Sequence, residues 1–456
     1  MPLQLTSGTL QSFQNEIPWQ HLPLTFQHAI VMAKKLNIQY LWIDSLCILQ
    51  DDFSDWLEEG SKMAAIYSGA ILTMAATASS DSTRGLWLSQ ERSRSTGNSG
   101  YPEVHCFTSP DGSAYKIRAR FETEFAIIGR RYLPLQRRAW FFQEWILSPR
   151  VVHFTDSVLC WECSEVQQLD DGTDFTDSND RGGGKKSTLA SLTQTSPGSS
   201  KFPDGETYSI YTWHALVRIY SDLQLTYSAD IFPALQGVTT RIASGRQCRF
   251  YAGLWEHSLV VDLLWRLVEP SPTIEYRAPS WSWASRCGEV VWQTWRWLFS
   301  RPTFPTPEVS IVSIITETAG ENPFGQVSGG SMVLRGLCLP VSFGPQKDYR
   351  RRPILRVKLN RTDRYDDLLD LDNAWRWSPD NEHDPAPSAD VLMMLIGLWS
   401  FHNTEGKLVH ESWFLVFERA GDVGDVYKRI GLYWTEKLAY RARFRREAIE
   451  QELTII

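Results

Sequence analysis

Glu59 is an acid in a place that needs explaining. If residues 56–70 form a helix, Trp56, Glu59, Gly60, Met63, Ile66, Tyr67 and Ala70 share one side at 100° per residue, while Glu58 and Lys62 fall away from it. An ionised carboxylate on a packed face is costly, so Glu59 requires either a cationic partner, expected to be an arginine, or a solvated cavity that it serves. A second acid, Asp44, followed by Ser45, ends the apolar run Tyr40-Leu41-Trp42-Ile43, which reads as a strand buried on both faces. Ligands of open α/β sheets gather at the carboxyl ends of strands, and the same argument selects Ser79 and Asp81 in the loop after a second strand near residues 73–77. Arg137, Arg138, Arg150 and Glu144 surround a helix read over residues 140–146. An arginine there either pairs within the packing, neutralises a ligand phosphate or orients Glu59.

The elements that must position these groups follow from periodicity and capping. Asp55-Trp56-Leu57-Glu58 fits a capping box that starts a helix running to about Tyr67, and Thr25 is placed to cap a helix over residues 26–36 that Asn37 stops. Helix, strand, helix, strand over residues 25–77 is the alternation of a parallel α/β sheet. Residues 97–112 read as turn-rich surface, 115–120 as a half-exposed strand, and 151–155 with 157–162 as a hairpin. Residues 165–206 are rich in Asp, Ser, Thr and Gly and read as a flexible insertion. The Gly-Lys within 182–188 lacks the upstream glycine of a phosphate loop. Trp213, Leu216, Val217, Tyr220 and Leu223 have helical spacing; residues 302–307 look like a proline-rich linker; beyond them short apolar runs predict a β-rich unit ending in a charged helix over 441–453. The expected organisation is an α/β core over 1–164, an insertion over 165–206, a helical segment over 207–300 and a β-rich domain over 308–456.

Composition narrows the function classes. Hydrophobic residues at 43% and charged residues at 22% describe a globular chain, and the 456 residues suffice for two or three domains. A net charge of −7 argues against a general nucleic-acid binder. Seven scattered cysteines read as reduced thiols, and Cys160-Trp-Glu-Cys163 lacks a second pair at zinc spacing, so no metal or cofactor is expected. The apolar run 391–399 is half the length of a membrane span and the first residues lack the pattern of a secretory signal, which together predict a cytoplasmic protein. Twenty tryptophans are many, and most are expected in the core.

Three blocks carry a family resemblance: residues 40–52 with Asp55-Trp56, Glu59, Met63, Ile66-Tyr67, Ala70 and 73–76; Arg138-Ala-Trp-Phe-Phe-Gln-Glu144 with Leu147-Ser-Pro-Arg150; and Arg277-Ala-Pro-Ser-Trp-Ser-Trp-Ala284. Together they closely resemble the fungal heterokaryon-incompatibility (HET) domain. Nothing in residues 1–24 matches the Leu-Ser-Tyr-x-Trp-Gly-like strand with which that domain usually opens. The resemblance implies a TIR-like parallel sheet with flanking helices, and a role in fungal non-self recognition and programmed cell death. Some TIR domains cleave NAD with one glutamate on a helix after a strand. On that likeness Glu59 and Asp44 are the catalytic candidates, and Ser45, Trp56, Ser79, Asp81 and Arg138 the ligand-binding ones, with NAD as substrate rather than cofactor. The competing expectations are a signalling module that self-associates through its α/β face, and a HET-like scaffold recruited into secondary metabolism to hold an apolar polycyclic substrate.

Overall fold

The computed structural model describes residues 3–86, 103–108, 114–119, 133–155, 158–170, 172, 205–246, 248–269, 271–272, 274–292, 303–347, 353–358, 365–367, 377–380, 391–402, 406–421 and 425–456. The chain forms two compact units, Met1–Ala190 and Ser191–Ile456.

The first unit is mixed α/β. Its helices are α1 (Leu10–Asn15), α2 (Leu24–Lys35), α3 (Asp44–Cys47), α4 (Phe53–Gly69) and α5 (Ala139–Leu147), and its strands β1 (Thr73–Ala75), β2 (Glu103–Thr108), β3 (Ala114–Ala119), β4 (Arg150–Phe154), β5 (Leu159–Cys163) and β6 (Gln167–Leu169). The main sheet has the order β1-β4-β5-β6; β1 and β4 are parallel, with Thr73 opposite Val151, and the other pairs are antiparallel. Strand alternation sends successive residues to opposite faces. Ala75 and Val151 pack with Phe141 of α5, whereas Met74, Val152 and Phe154 pack with Ala29 of α2 and with Leu41 and Leu86. Helices thus cover both faces of the β1–β4 pair.

In the second unit, α6 (Gly205–Ser221) and α7 (Gln236–Arg246) precede the tight hairpin β7 (Phe250–Tyr251) and β8 (Leu254–Trp255), followed by α8 (Leu259–Asp262) and the pair β9 (Arg266–Leu267) and β10 (Val290–Val291). The remaining strands, β11 (Thr303–Pro307), β12 (Val309–Thr318), β13 (Val327–Lys347), β14 (Pro353–Lys358), β15 (Tyr365–Asp367), β16 (Trp377–Pro379), β17 (Val391–His402), β18 (Leu408–Arg419), β19 (Val426–Thr435) and β20 (Ile449–Ile455), build one sheet. Because β13 pairs with both β17 and β20, the path β17-β18-β19-β20-β13 closes on itself as a small barrel. Val391, Met393, Leu395, Phe414, Val416 and Tyr433 fill it, and α9 (Leu438–Glu447) adds Phe444.

Several expected elements are replaced. Residues 40–43 form no strand: they run extended into α3, pair with no strand among the described residues, and leave Tyr40 82% exposed. Helix α4 starts at Phe53, capped by Asp52 rather than Asp55, because the Asp52 carboxylate accepts from the backbone of both Ser54 and Asp55. Thr25 lies inside α2, where its hydroxyl accepts from the Gly85 amide; the stop at Asn37 is real, with φ at +56°. Strand β2 occupies part of the stretch read as turns, and β6 and the start of α6 lie within the stretch read as an insertion, in which residues 171 and 173–204, 182–188 among them, are outside the described ones. The apparent linker 302–307 supplies the edge strand β11, and the expected terminal helix ends at Glu447 to give way to β20. No described helix is long and apolar enough to cross a membrane.

Candidate functional site

The site is built where α3, α4 and α5 converge. Helix α4 packs against α5, with Trp56 edge-on to Trp140 at 6.0 Å and stacked on Phe53 at 5.9 Å. Three turns after Trp56, Tyr67 projects from the same side of α4, and Trp42 meets it edge-on at 5.5 Å. The apolar run that does not become a strand therefore supplies an aromatic brace. Helix α5 buries Ala139, Phe141, Phe142, Ile146 and Leu147 and leaves Glu144 half-buried.

Four polar groups meet there. The Tyr67 hydroxyl hydrogen-bonds the Glu144 carboxylate, and the charges of Asp44 and Arg138 both act on Glu144. Burial, and then repulsion by Asp44, push the Glu144 carboxyl up to about 7, against the attraction of Arg138 and the Tyr67 hydrogen bond. Burial also raises the Tyr67 hydroxyl well above the ordinary range, followed by the charges of Glu144 and Asp44, so it remains a proton donor at neutral pH. Asp44 and Arg138 are exposed and Tyr67 and Glu144 half-buried, so the group grades from solvent inwards. A carboxyl that titrates near neutrality beside a second carboxylate is the pattern of general acid–base chemistry, with the exposed arginine available to an anion.

A network beneath the site fixes α5. Glu162, wholly buried on β5, accepts from Trp145 Nε1 of α5 at 2.6 Å and from Gln167 at 3.1 Å. His153 Nε2 lies 3.2 Å from the same carboxylate, and its Nδ1 lies 3.0 Å from the hydroxyl of Thr77. With the proton on Nε2 donated to Glu162, Nδ1 accepts from Thr77, and every member is satisfied. Trp145 is the neighbour of Glu144, so the orientation of the candidate acid is anchored in the sheet.

The other residues singled out from sequence have local roles. Glu59 pairs with Lys62 at 2.7 Å, one turn along its own helix, and Lys62 also holds Glu58 at 2.7 Å. Its partner is a lysine rather than an arginine, and its side chain remains 24% exposed. The Ser79 hydroxyl donates to the Gly85 carbonyl at 2.6 Å, and Asp81 closes a turn by accepting from the Thr83 amide and hydroxyl. The Ser45 hydroxyl is buried without a partner among the described residues, next in sequence to Asp44. Arg277 donates to the carbonyls of Ala284 and Arg286, which makes its tryptophan-rich block self-binding. Tyr67 and Glu144 were both visible in sequence, as a stripe residue and as a helix acid, but no local signal links positions 77 residues apart.

The first unit is thus an α/β region with a carboxyl held near neutrality at the junction of three helices. Residues 4–144 match the family described as "Heterokaryon incompatibility protein (HET)". Asp44, Tyr67, Arg138 and Glu144 all lie within the match. No curated protein and no solved structure matches the chain.

Proposed function

We propose that the chain serves a heterokaryon-incompatibility-type function in which its HET region cleaves the N-glycosidic bond of NAD, with Glu144 rather than Glu59 as the acid–base group. The observation that carries this reading is the Glu144 carboxyl, held near 7 and facing Asp44, Tyr67 and Arg138. Breaking the bond to nicotinamide leaves a cationic ribosyl centre, which the Asp44 carboxylate stabilises. Glu144 takes a proton from the attacking water, giving ADP-ribose, nicotinamide and a proton, while Tyr67 steadies the ionised form of Glu144. Arg138 pairs with the pyrophosphate, and Trp42 offers a ring face beside the site. The carboxylate on a helix that the TIR likeness assigned to Glu59 is in this reading supplied from α5.

Nicotinamide release by purified protein is the test, over a range of protein concentrations so that turnover requiring self-association is also detected. Glu144→Gln and Asp44→Asn each lower the rate by about a hundredfold or more, and Glu59→Gln stays within about threefold of wild type. Loss of turnover in Glu59→Gln alone returns the role to Glu59. Absence of turnover at every concentration from folded protein overturns the hydrolase reading in favour of a signalling module.

A further inference from the structure

The β7–β8 hairpin of the second unit carries a thiol–imidazole pair that the proposed activity does not use. With Phe250 opposite Trp255 and Tyr251 opposite Leu254, the hairpin register places Arg249 opposite Glu256 and Cys248 opposite His257. The Glu256 amide donates to the Arg249 carbonyl at 3.0 Å, continuing the pairing outwards. Cys248 Sγ then lies 3.2 Å from His257 Nδ1. Cys248 is half-buried and His257 exposed.

This geometry is held from below. The two turn residues, Ala252 and Gly253, both have positive φ, at +42° and +99°. The Ser282 hydroxyl donates to the Ala252 carbonyl at 2.5 Å and Trp283 Nε1 to the Gly253 carbonyl at 2.9 Å. Phe250, Leu254 and Trp255 are buried among Trp213, Phe232 and Phe324. A surface pair resting on so fixed a hairpin is kept in contact without needing to find its partner.

We propose that Cys248 is a reactive thiol of this chain, activated by His257, and that it takes up low-molecular-weight disulfides by thiol–disulfide exchange. The Cys248 S–H proton passes to His257 Nδ1. The thiolate attacks one sulfur of the disulfide RS–SR, a bond forms between Cys248 and that sulfur, the S–S bond breaks, and RS⁻ leaves to be protonated as RSH. The charged groups on the hairpin are Arg249, which hydrogen-bonds Tyr251, and Glu256, to which Arg249 is drawn; on β12, the strand beside β7, Glu317 acts on Tyr276. Among the cysteines whose side chains are described, Cys160 and Cys338 are buried and do not compete, and Cys47, Cys163 and Cys287 are the accessible comparisons.

The experiment treats the full chain with glutathione disulfide from pH 6.5 to 8.5 and reads the modified cysteine by peptide mass spectrometry. Cys248 reacts first, and its rate changes only about twofold over the range, because the thiol passes its proton to the imidazole 3.2 Å away rather than to solvent. In His257→Gln the rate rises roughly fiftyfold over the same range, starting about fivefold below wild type, as an ordinary thiol would. Cys248→Ser abolishes the adduct. A fiftyfold rise in the wild-type protein, or faster reaction of any other cysteine at pH 6.5, overturns the proposal. The wild-type profile decides even if the histidine variant fails to fold.

Discussion

Glu144 shows how surroundings change the chemistry of a side chain. Its carboxyl is displaced upwards, from an ordinary 4.5 to about 7, mainly by burial and next by Asp44. Between those two values the native state holds a proton that the unfolded state has released, so this group's contribution to stability falls as pH rises. The full penalty, on the order of 3 kcal/mol, is reached above pH 7. Glu144→Gln therefore raises the melting temperature relative to wild type at pH 8 and loses that advantage at pH 4.5, as measured by scanning calorimetry. An equal gain at both values shows that ionisation is not the cause. Tyr67→Phe removes a donor that favours the ionised form, so Glu144 titrates higher still. Carboxyl carbon NMR of the variant reads that shift directly.

At the scale of elements, local chemistry sets helix ends and tertiary contacts set the strands. Asp52 and Asp55 divide the work at the start of α4: Asp52 caps the helix, while Asp55 accepts from the Leu49 amide at 2.8 Å and ties down the preceding loop. Asp52→Ala costs about 1 kcal/mol of stability by urea denaturation, with α4 otherwise retained. The β7–β8 turn is less forgiving. Gly253 combines φ of +99° with a position where an added Cβ would meet the Trp283 indole, so Gly253→Ala combines backbone strain with a clash against a wholly buried ring. A loss of roughly 3 kcal/mol or more is expected, seen as a lowered unfolding midpoint, and a near-neutral result shows that the indole can move aside.

The second unit depends on a long-range closure. Strand β20 bonds to β13 across seven paired residues and to the first two residues of β19, and the Ile456 carbonyl accepts from the Ser280 amide at 3.0 Å. Deleting residues 449–456 opens the barrel and uncovers its apolar lining, and limited proteolysis of the second unit rather than the first reports it. A buried ion pair lies in the same unit. Arg429 bonds Asp380 at 3.0 Å, donates to the carbonyls of Leu263 and Trp265, and stacks 3.6 Å from the Trp265 ring. Burial raises the Asp380 carboxyl and lowers the Arg429 guanidinium, each opposed by the attraction of its partner. Arg429→Met strands that carboxylate and costs about 3–5 kcal/mol in denaturant titration.

Local signals, periodic spacing together with cap and stop residues, by themselves determined α2, α4, α5 and α6, the stop at Asn37, the β4–β5 hairpin and the strand-rich character of the C-terminal part, because these signals are written within a few turns of chain. The same local signal misread residues 40–43, which have the apolar, β-prone content of a strand but no strand among the described residues to pair with, and residues 449–453, read as helix but part of a strand that exists only because β13 and β19 receive it. It also marked Asp44 and Arg138 while favouring Glu59, an acid on the apolar side of α4 that Lys62 satisfies within one turn. Tertiary structure alone brought Asp44, Tyr67, Arg138 and Glu144 together. A carboxyl moves to about 7 through burial and the field of a neighbour, and both depend on which distant segments pack against it.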